Sequence, residues 1–340
     1  MIKTVKKFEI KRLEILNEKG KVDAKLMPKL SSKEIVDMYR WMVLTRESDT
    51  KALKLQRTGR MGTYASQLGQ EATIIGSTFA LRTQDYLFPS FRMNGGMMLR
   101  GVKLHQVYQY YGGDERGMKF DKNVNVFPIC ITVGEQPLHA AGFAWGLKLQ
   151  KKKSVVLSDI GDGGTSEGDF HEALNFAGVF KLPLIVICQN NKWAISVPRS
   201  KQTAAETIAQ KGIAYGIRCL QVDGNDVFAM YKATKEAMSY ALKGQPTFIE
   251  ADTYRMEHHT TSDDWKKYRS TKEVKEWEKK DPILRLRKYM ESKRIWNTSK
   301  EEKLRKEIAA VVKTASKKYL AIKPPAREEM FKYMFAKGGK

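Results

Sequence analysis

Between residues 155 and 191 the chain passes through segments whose order leaves little choice of architecture. A β-branched run, Val155-Val156-Leu157, leads into a glycine-rich turn at residues 161–164. Phe170, Leu174, Ala177 and Val179 then recur at near-helical spacing across residues 167–180, Pro183 stops that pattern, and residues 184–188 form a second apolar run. Two short buried runs joined by an amphipathic helix are a βαβ unit, which sets parallel strands side by side. Residues 219–222 and 247–251 read as further strands, separated by a helix at 227–242 with Met230, Tyr231, Thr234, Met238 and Leu242 inward. This alternation predicts an α/β fold with a doubly wound, mainly parallel sheet.

Helical extensions flank the sheet at both ends. Ser31 and Glu34 make a capping box that opens a helix running to about Arg57 and stopping at Gly59. Residues 69–81 read as a second helix, ended by a loop at 89–96, and residues 271–320 read as amphipathic helices with Lys and Glu interleaved. The expected organisation is an N-terminal arm (1–30) lying on the surface or on a partner, one domain (31–320) and a C-terminal tail (321–340).

Asp162 follows one strand of the βαβ unit and Asn191 the next, so the helix between them brings a carboxylate and an amide together at the carboxyl edge of the sheet. With a nearby backbone carbonyl they form an all-oxygen set suited to Mg²⁺, phosphate oxygens and water completing the octahedron. Gly163 and Gly164 let backbone N–H groups and a helix start come close to a diphosphate. Singly, Gly-Asp-Gly marks a turn and Asn-Asn a loop; the ordered combination carries the argument. A dinucleotide motif is excluded, because the third glycine of Gly-x-Gly-x-x-Gly would fall at Ser166.

The net charge of +23 calls for an anionic partner or a lysine-rich solvated face. Lys3, Lys6 and Lys7 with Lys151-Lys152-Lys153 motivate one alternative, a basic nucleic-acid-binding protein. Against it, lysines alternate with glutamates in the C-terminal helices and no basic motif is interleaved with aromatics. No apolar run approaches the roughly 18 residues of a membrane span, and residues 1–16 lack the apolar core of a secretory signal, which together suggest a cytoplasmic protein. Cys130, Cys188 and Cys219 are odd in number and lack a Cys-x-x-Cys pair, which argues against a disulfide framework or a zinc site. Each is expected as a small core hydrophobe.

Gly-Asp-Gly after a strand, then a helix, then a buried strand ending in Asn-Asn is the thiamin diphosphate fingerprint. Longer strings agree with it: Gly69-Gln70-Glu71-Ala72, residues 161–169, Asn175-Phe176-Ala177-Gly178, Gln189-Asn190-Asn191, Ala194-Ile195-Ser196, residues 222–226 and residues 259–264. On these the chain resembles, over residues 33–320, the alpha subunits of the decarboxylating component of 2-oxo acid dehydrogenase complexes, above all the bacterial pyruvate dehydrogenase type. The resemblance implies a sheet of the thiamin diphosphate-binding type, with thiamin diphosphate and Mg²⁺ as cofactors. It also implies oxidative decarboxylation of a 2-oxo acid with reductive acylation of lipoyl groups. The implied partners are a beta subunit in an α2β2 heterotetramer and a dihydrolipoyl acyltransferase carrying lipoyl domains. A beta-subunit glutamate would activate the cofactor, making this chain half an active site.

Carried over by position, Asp162, Asn191 and the Trp193 carbonyl would ligate the metal, and Gly163 and Gly164 would face the diphosphate. Arg92 would hold the terminal phosphate, as a bidentate guanidinium can. Phe91 stands where relatives usually have tyrosine. Val133 and Gly134 would brace the aminopyrimidine, while Glu135 departs from the small residue usual there. His259 would be the catalytic histidine beside the thiazolium, and Arg255 a phosphate contact in the same loop. Thr260 and Ser270 coincide with positions phosphorylated in some relatives. Within the same chemistry, His258-His259 leans toward branched-chain relatives and residues 161–166 toward pyruvate types, with acetoin-cleaving enzymes a third alternative.

Overall fold

The computed structural model describes residues 1–331, so the tail expected at 321–340 lies outside the described residues from 332 onward. The strands are β1 (Arg12–Leu13), β2 (Tyr86–Phe88), β3 (Val156–Gly161), β4 (Leu184–Asn190), β5 (Trp193–Ala194), β6 (Val197–Pro198), β7 (Arg218–Asp223) and β8 (Thr247–Asp252). The helices are α1 (Ser32–Arg57), α2 (Glu71–Phe79), α3 (Asn94–Leu99), α4 (Leu104–Tyr111), α5 (Glu135–Leu149), α6 (Gly168–Phe180), α7 (Arg199–Gln202), α8 (Val227–Ala241), α9 (Thr271–Glu278), α10 (Pro282–Ser292) and α11 (Thr298–Leu320). Six strands form one sheet in the order β1-β7-β8-β4-β3-β2, every pair parallel, and β5 and β6 form a separate antiparallel hairpin.

Strand alternation builds a core on each side of the sheet. Leu157, Ile185, Ile187, Leu220, Val222 and Ile249 pack with the apolar faces of α1, α2 and α8. Val156, Ile160, Leu184, Val186 and Cys188 point the other way, into α5 and α6. The doubly wound expectation therefore holds. From β2 through β3 to β4 the chain advances in one direction with α5 and α6 on one face. From β7 to β8 it steps back with α8 on the other, as uniform crossover handedness demands.

The predicted capping box forms as read. Glu34 N–H donates to Ser31 Oγ at 3.2 Å while Ser31 N–H donates to Glu34 Oε2 at 2.8 Å. Three local expectations need correction. The arm is not wholly a surface appendage: β1 joins the sheet edge, and Ile15 and Leu16 are buried, their N–H groups donating to Asp226 Oδ2 at 2.6 Å each. The same Asp226 caps α8 through its other oxygen, so one buried carboxylate ties the N-terminal segment to the domain. Asn94-Gly95-Gly96 begins α3 rather than a loop; a Cβ at Gly95 would meet the Thr45 hydroxyl at 2.3 Å, so that glycine serves the close approach of α3 to α1. Cys188 is buried as expected, whereas Cys130 and Cys219 are only half-buried.

Candidate active site

The chain leaving β2 turns to one face of the sheet through α3, and the chain leaving β3 turns to the other through α6. A crevice at the carboxyl edge is the geometric result. There a cavity of about 360 Å³ is lined by Ser90, Phe91 and Arg92 after β2, residues 161–164 after β3, and Asn191, Trp193 and Ile195 beyond β4. Val133 and His259 join the same wall. Two residues singled out from the sequence stand behind the lining. Gly134 is the N-cap of α5, and Arg255 is fully buried behind the β5–β6 hairpin. Glu135 points away, its Oε2 accepting from Cys130 Sγ at 3.0 Å. Ser270 caps α9, accepting from Glu273 N–H at 3.1 Å.

Register explains why Asp162 and Asn191 meet. β3 and β4 pair with Gly161 opposite Gln189, so the residues just past each strand emerge at one level. Asn191 Nδ2 donates to Gln70 Oε1 at 3.0 Å, which turns Asn191 Oδ1 toward other oxygens. It lies 3.3 Å from Asp162 Oδ1 and 3.1 Å from the Trp193 carbonyl, while Asp162 Oδ2, buried, has no hydrogen-bond partner. Asn191 Oδ1, which accepts from Trp193 N–H at 3.3 Å, thus also faces two further acceptors, and a cation among them relieves that repulsion. An octahedron with metal–oxygen distances of about 2.0–2.1 Å has oxygen–oxygen edges of about 2.9–3.0 Å, near what is found. These residues fit Mg²⁺.

Gly164 fits a close-packed turn for a concrete reason: a Cβ there would lie 2.6 Å from Ile160 and 3.0 Å from Val133. The hairpin supplies the Trp193 carbonyl at a conformational cost, since Ile195 is left-handed at φ 56°. Arg255 holds that shape, Nη2 donating to Ile195 O at 2.8 Å and Nη1 to Trp193 O at 3.3 Å.

Two buried guanidinium groups dominate the electrostatics. Arg92 donates to Ser66 O at 2.5 Å and His259 O at 2.6 Å, and Arg255 to the hairpin carbonyls and the Tyr268 hydroxyl. Their donors go to neutral groups rather than carboxylates. Burial, with Arg255 nearby, pushes Arg92 down to about 9. Such a pair is stabilised by an incoming polyanion. His259 Nδ1 lies 3.0 Å from Arg92 Nη2 and 3.1 Å from Arg255 Nη1, so it must accept, leaving the ring proton on Nε2. Burial and the two arginines push His259 down to about 3.

That shift carries a pH signature. The unfolded chain takes up a proton at this histidine near pH 6.5, whereas the folded chain refuses it until about pH 3, so stability contributed by neutral His259 is lost as pH falls through 6.5. Between pH 7.5 and 5 the loss should be about 1–2 kcal/mol. Urea midpoints of wild type and His259→Gln at both pH values check this; equal pH slopes would refute it.

Sequence reasoning assigned no role to Gln70, Asp159 and Gln189, all of which line the cavity. Asp159 accepts from Ser90 Oγ and, at 2.8 Å, from Gln189 Nε2, and burial pushes its carboxyl up to about 7. For Asp159 and Gln189 the available signal was a polar residue inside an otherwise apolar strand run, whereas Gln70 sits at the start of α2.

The dehydrogenase E1 component family model matches residues 39–327. The chain belongs to this family. Among its relatives, the pyruvate dehydrogenase E1 component subunit alpha of Acholeplasma laidlawii is 47% identical over 305 residues, covering 89% of this chain and 88% of the relative. The protein of the same name from Staphylococcus aureus is 44% identical over 317 residues, covering 92% and 85%, and that of Staphylococcus epidermidis 44% over 319 residues, covering 92% and 86%. Membership in the dehydrogenase E1 component family implies thiamin diphosphate as cofactor. Among the described residues no helix is long and apolar enough to cross a membrane.

Proposed function

We propose that this chain is the alpha subunit of a pyruvate dehydrogenase (acetyl-transferring) E1 component, acting with Mg²⁺ and thiamin diphosphate in the cytoplasm. The observation that carries the reading is the 44–47% identity, spanning about nine-tenths of the chain, to proteins of that name. Asp162, Asn191 and the Trp193 carbonyl would hold the metal. Arg92 and Arg255 would neutralise the diphosphate beside Gly163 and Gly164, with Val133 and Gly134 bracing the ring system. When bound, the cofactor supplies a carbon nucleophile for the keto carbon of the 2-oxo acid and an electron sink as carbon dioxide leaves.

The residues of the chain do the positioning. His259, neutral and protonated on Nε2, is a hydrogen-bond donor for a substrate carboxylate or an oxygen gaining charge. With Phe91 and Ile131 it also lines an adjoining cavity of about 520 Å³, through which a substrate can reach it. A beta subunit in an α2β2 assembly, and a lipoyl-bearing acyltransferase as acceptor, complete the reading. One surface suits a protein partner. On α5, Gly142 and Gly146 have nothing within 4 Å of an added Cβ, and Leu149, Phe176 and Val179 are exposed nearby. Three free cysteines suit a reducing compartment.

Co-expression with its beta chain, followed by assays on pyruvate, branched 2-oxo acids and acetoin with a lipoyl domain as acceptor, tests the assignment. Pyruvate should be preferred by at least about tenfold in kcat/KM, a difference of about 1.4 kcal/mol, and the isolated chain should turn over little. A preference for branched acids or acetoin would overturn it.

A further inference from the structure

Cys130, Glu135 and His139 cluster beside the cavity on the loop entering α5 and on its first turns. A thiol sulfur, a carboxylate oxygen and a ring nitrogen there fall within 4.8 Å of one another. The arrangement has local causes. Glu135 and His139 are four apart on one helix and share a face. The loop returns Cys130 so that its Sγ donates to Glu135 Oε2 at 3.0 Å. Gln136, buried, fastens that loop by donating from Nε2 to the carbonyls of Cys130 at 2.7 Å and Thr132 at 3.0 Å. The donors are thus held together before any ligand arrives, which is what a metal site requires of its supporting residues. Neither Glu135 nor His139 lines the cavity, so the cofactor reading leaves both without a task.

We propose that Cys130, Glu135 and His139 bind a borderline-soft divalent cation, Zn²⁺ in the first instance, through sulfur, carboxylate oxygen and imidazole nitrogen, with water in the fourth position. Metal–ligand distances of about 2.0–2.3 Å put tetrahedral donors about 3.3–3.8 Å apart, so on binding the Cys130–Glu135 pair at 3.0 Å opens slightly while the wider separations, up to 4.8 Å, close. His139 is exposed and can make that adjustment by rotating its ring. In the binding step the Cys130 S–H bond breaks, a sulfur–metal bond forms, and the proton passes to solvent with no change of oxidation state. Because the sulfur gives up its proton as it binds the ion, uptake should release protons. Ile131 and Val133 lie in the same loop and line the cavity, so a bound ion stiffens one of its walls. The absence of a Cys-x-x-Cys pair argued against a zinc site; a mixed set drawn from one helix and its lead-in loop has no such spacing to display.

Co²⁺ titration of the purified full-length chain tests the site independently of its enzymatic assignment. Wild type should show a thiolate-to-cobalt charge-transfer band, and Zn²⁺ should displace it. The Asp162 site has no sulfur and cannot produce that band. Cys130→Ser should abolish it, His139→Ala should weaken Co²⁺ binding at least about tenfold, and Cys219→Ser should leave it unchanged. A wild-type chain without the band, a band surviving Cys130→Ser, or one lost in Cys219→Ser would overturn the proposal.

Discussion

Asp162→Ala, assembled with its beta chain, will bind Mg²⁺ and thiamin diphosphate roughly a hundred to several thousand times more weakly than wild type, the equivalent of about 3–5 kcal/mol for a buried charge left without its partner. Asp162 is the one charged member of the oxygen set around Asn191 Oδ1 and the Trp193 carbonyl. Without it a divalent ion loses its anionic ligand, and Arg92 and Arg255 face the diphosphate alone. The folded chain should not suffer in parallel. Burial pushes the Asp162 carboxyl up to about 6, and Oδ2 has no hydrogen-bond partner, so in the cofactor-free chain the side chain is a desolvation cost. Its backbone carbonyl still accepts from Thr165 N–H at 3.1 Å, Thr165 Oγ1 at 2.8 Å and Gln202 Nε2 at 3.0 Å whatever the side chain. The expected pattern is an unchanged or raised denaturation midpoint without cofactor, together with lost binding by calorimetry and lost turnover. Near-normal cofactor affinity in the variant would show that the metal ligands are misassigned.

Most of the strands that could be read from the sequence have side chains buried on both faces, the half-buried β7 being the exception. Val156, Leu184 and Phe248 begin apolar runs bounded by Pro or Gly, and their alternation with helices leaves few topologies. β1 escaped because two residues, Arg12 and Leu13, carry no periodicity. What makes them a strand is tertiary: Asp226 accepting from Ile15 and Leu16, and Arg12 Nη1 donating to Asp252 Oδ2 at 2.6 Å. α5 escaped for the opposite reason, since Ala and Gly populate so much of its surface that no apolar stripe stands out.

The site divides along the same line. Asp162 and Asn191 were legible because adjacent parallel strands must deliver their ends to one place. Arg92 comes from the loop after β2, Arg255 and His259 from the loop after β8, and all three were reached only through matched strings, since no local rule predicts that two arginines will converge on one imidazole. Gln70 was quoted within such a string without a role. Its function is visible only in three dimensions, where it orients the Asn191 amide from an element with no sequence relation to β4.

Asp49→Ala should be the most damaging substitution away from the cavity, lowering stability by about 3–5 kcal/mol. Asp49 lies on α1, 2% exposed, and gathers the segment that follows α1 onto it. Tyr64 Oη donates to it at 2.6 Å, Ser66 Oγ at 2.9 Å and Gln67 Nε2 at 2.8 Å, and Gln67 N–H donates as well. Removing the carboxylate leaves these donors buried and unpaired, each costing about 1–3 kcal/mol before relaxation. The damage should reach the site, because Ser66 O accepts from Arg92 Nη1 at 2.5 Å and Gln67 Oε1 accepts from Gly95 N–H at 2.8 Å. Loosening residues 64–67 therefore frees the Arg92 guanidinium, and cofactor affinity should fall even where the variant stays folded. Asp49→Asn keeps one acceptor oxygen and the shape, so its loss should be about half that of alanine. Urea denaturation with calorimetric cofactor titration on the folded fraction separates the two effects; an Asp49→Ala midpoint equal to wild type would show that this carboxylate does not organise the segment.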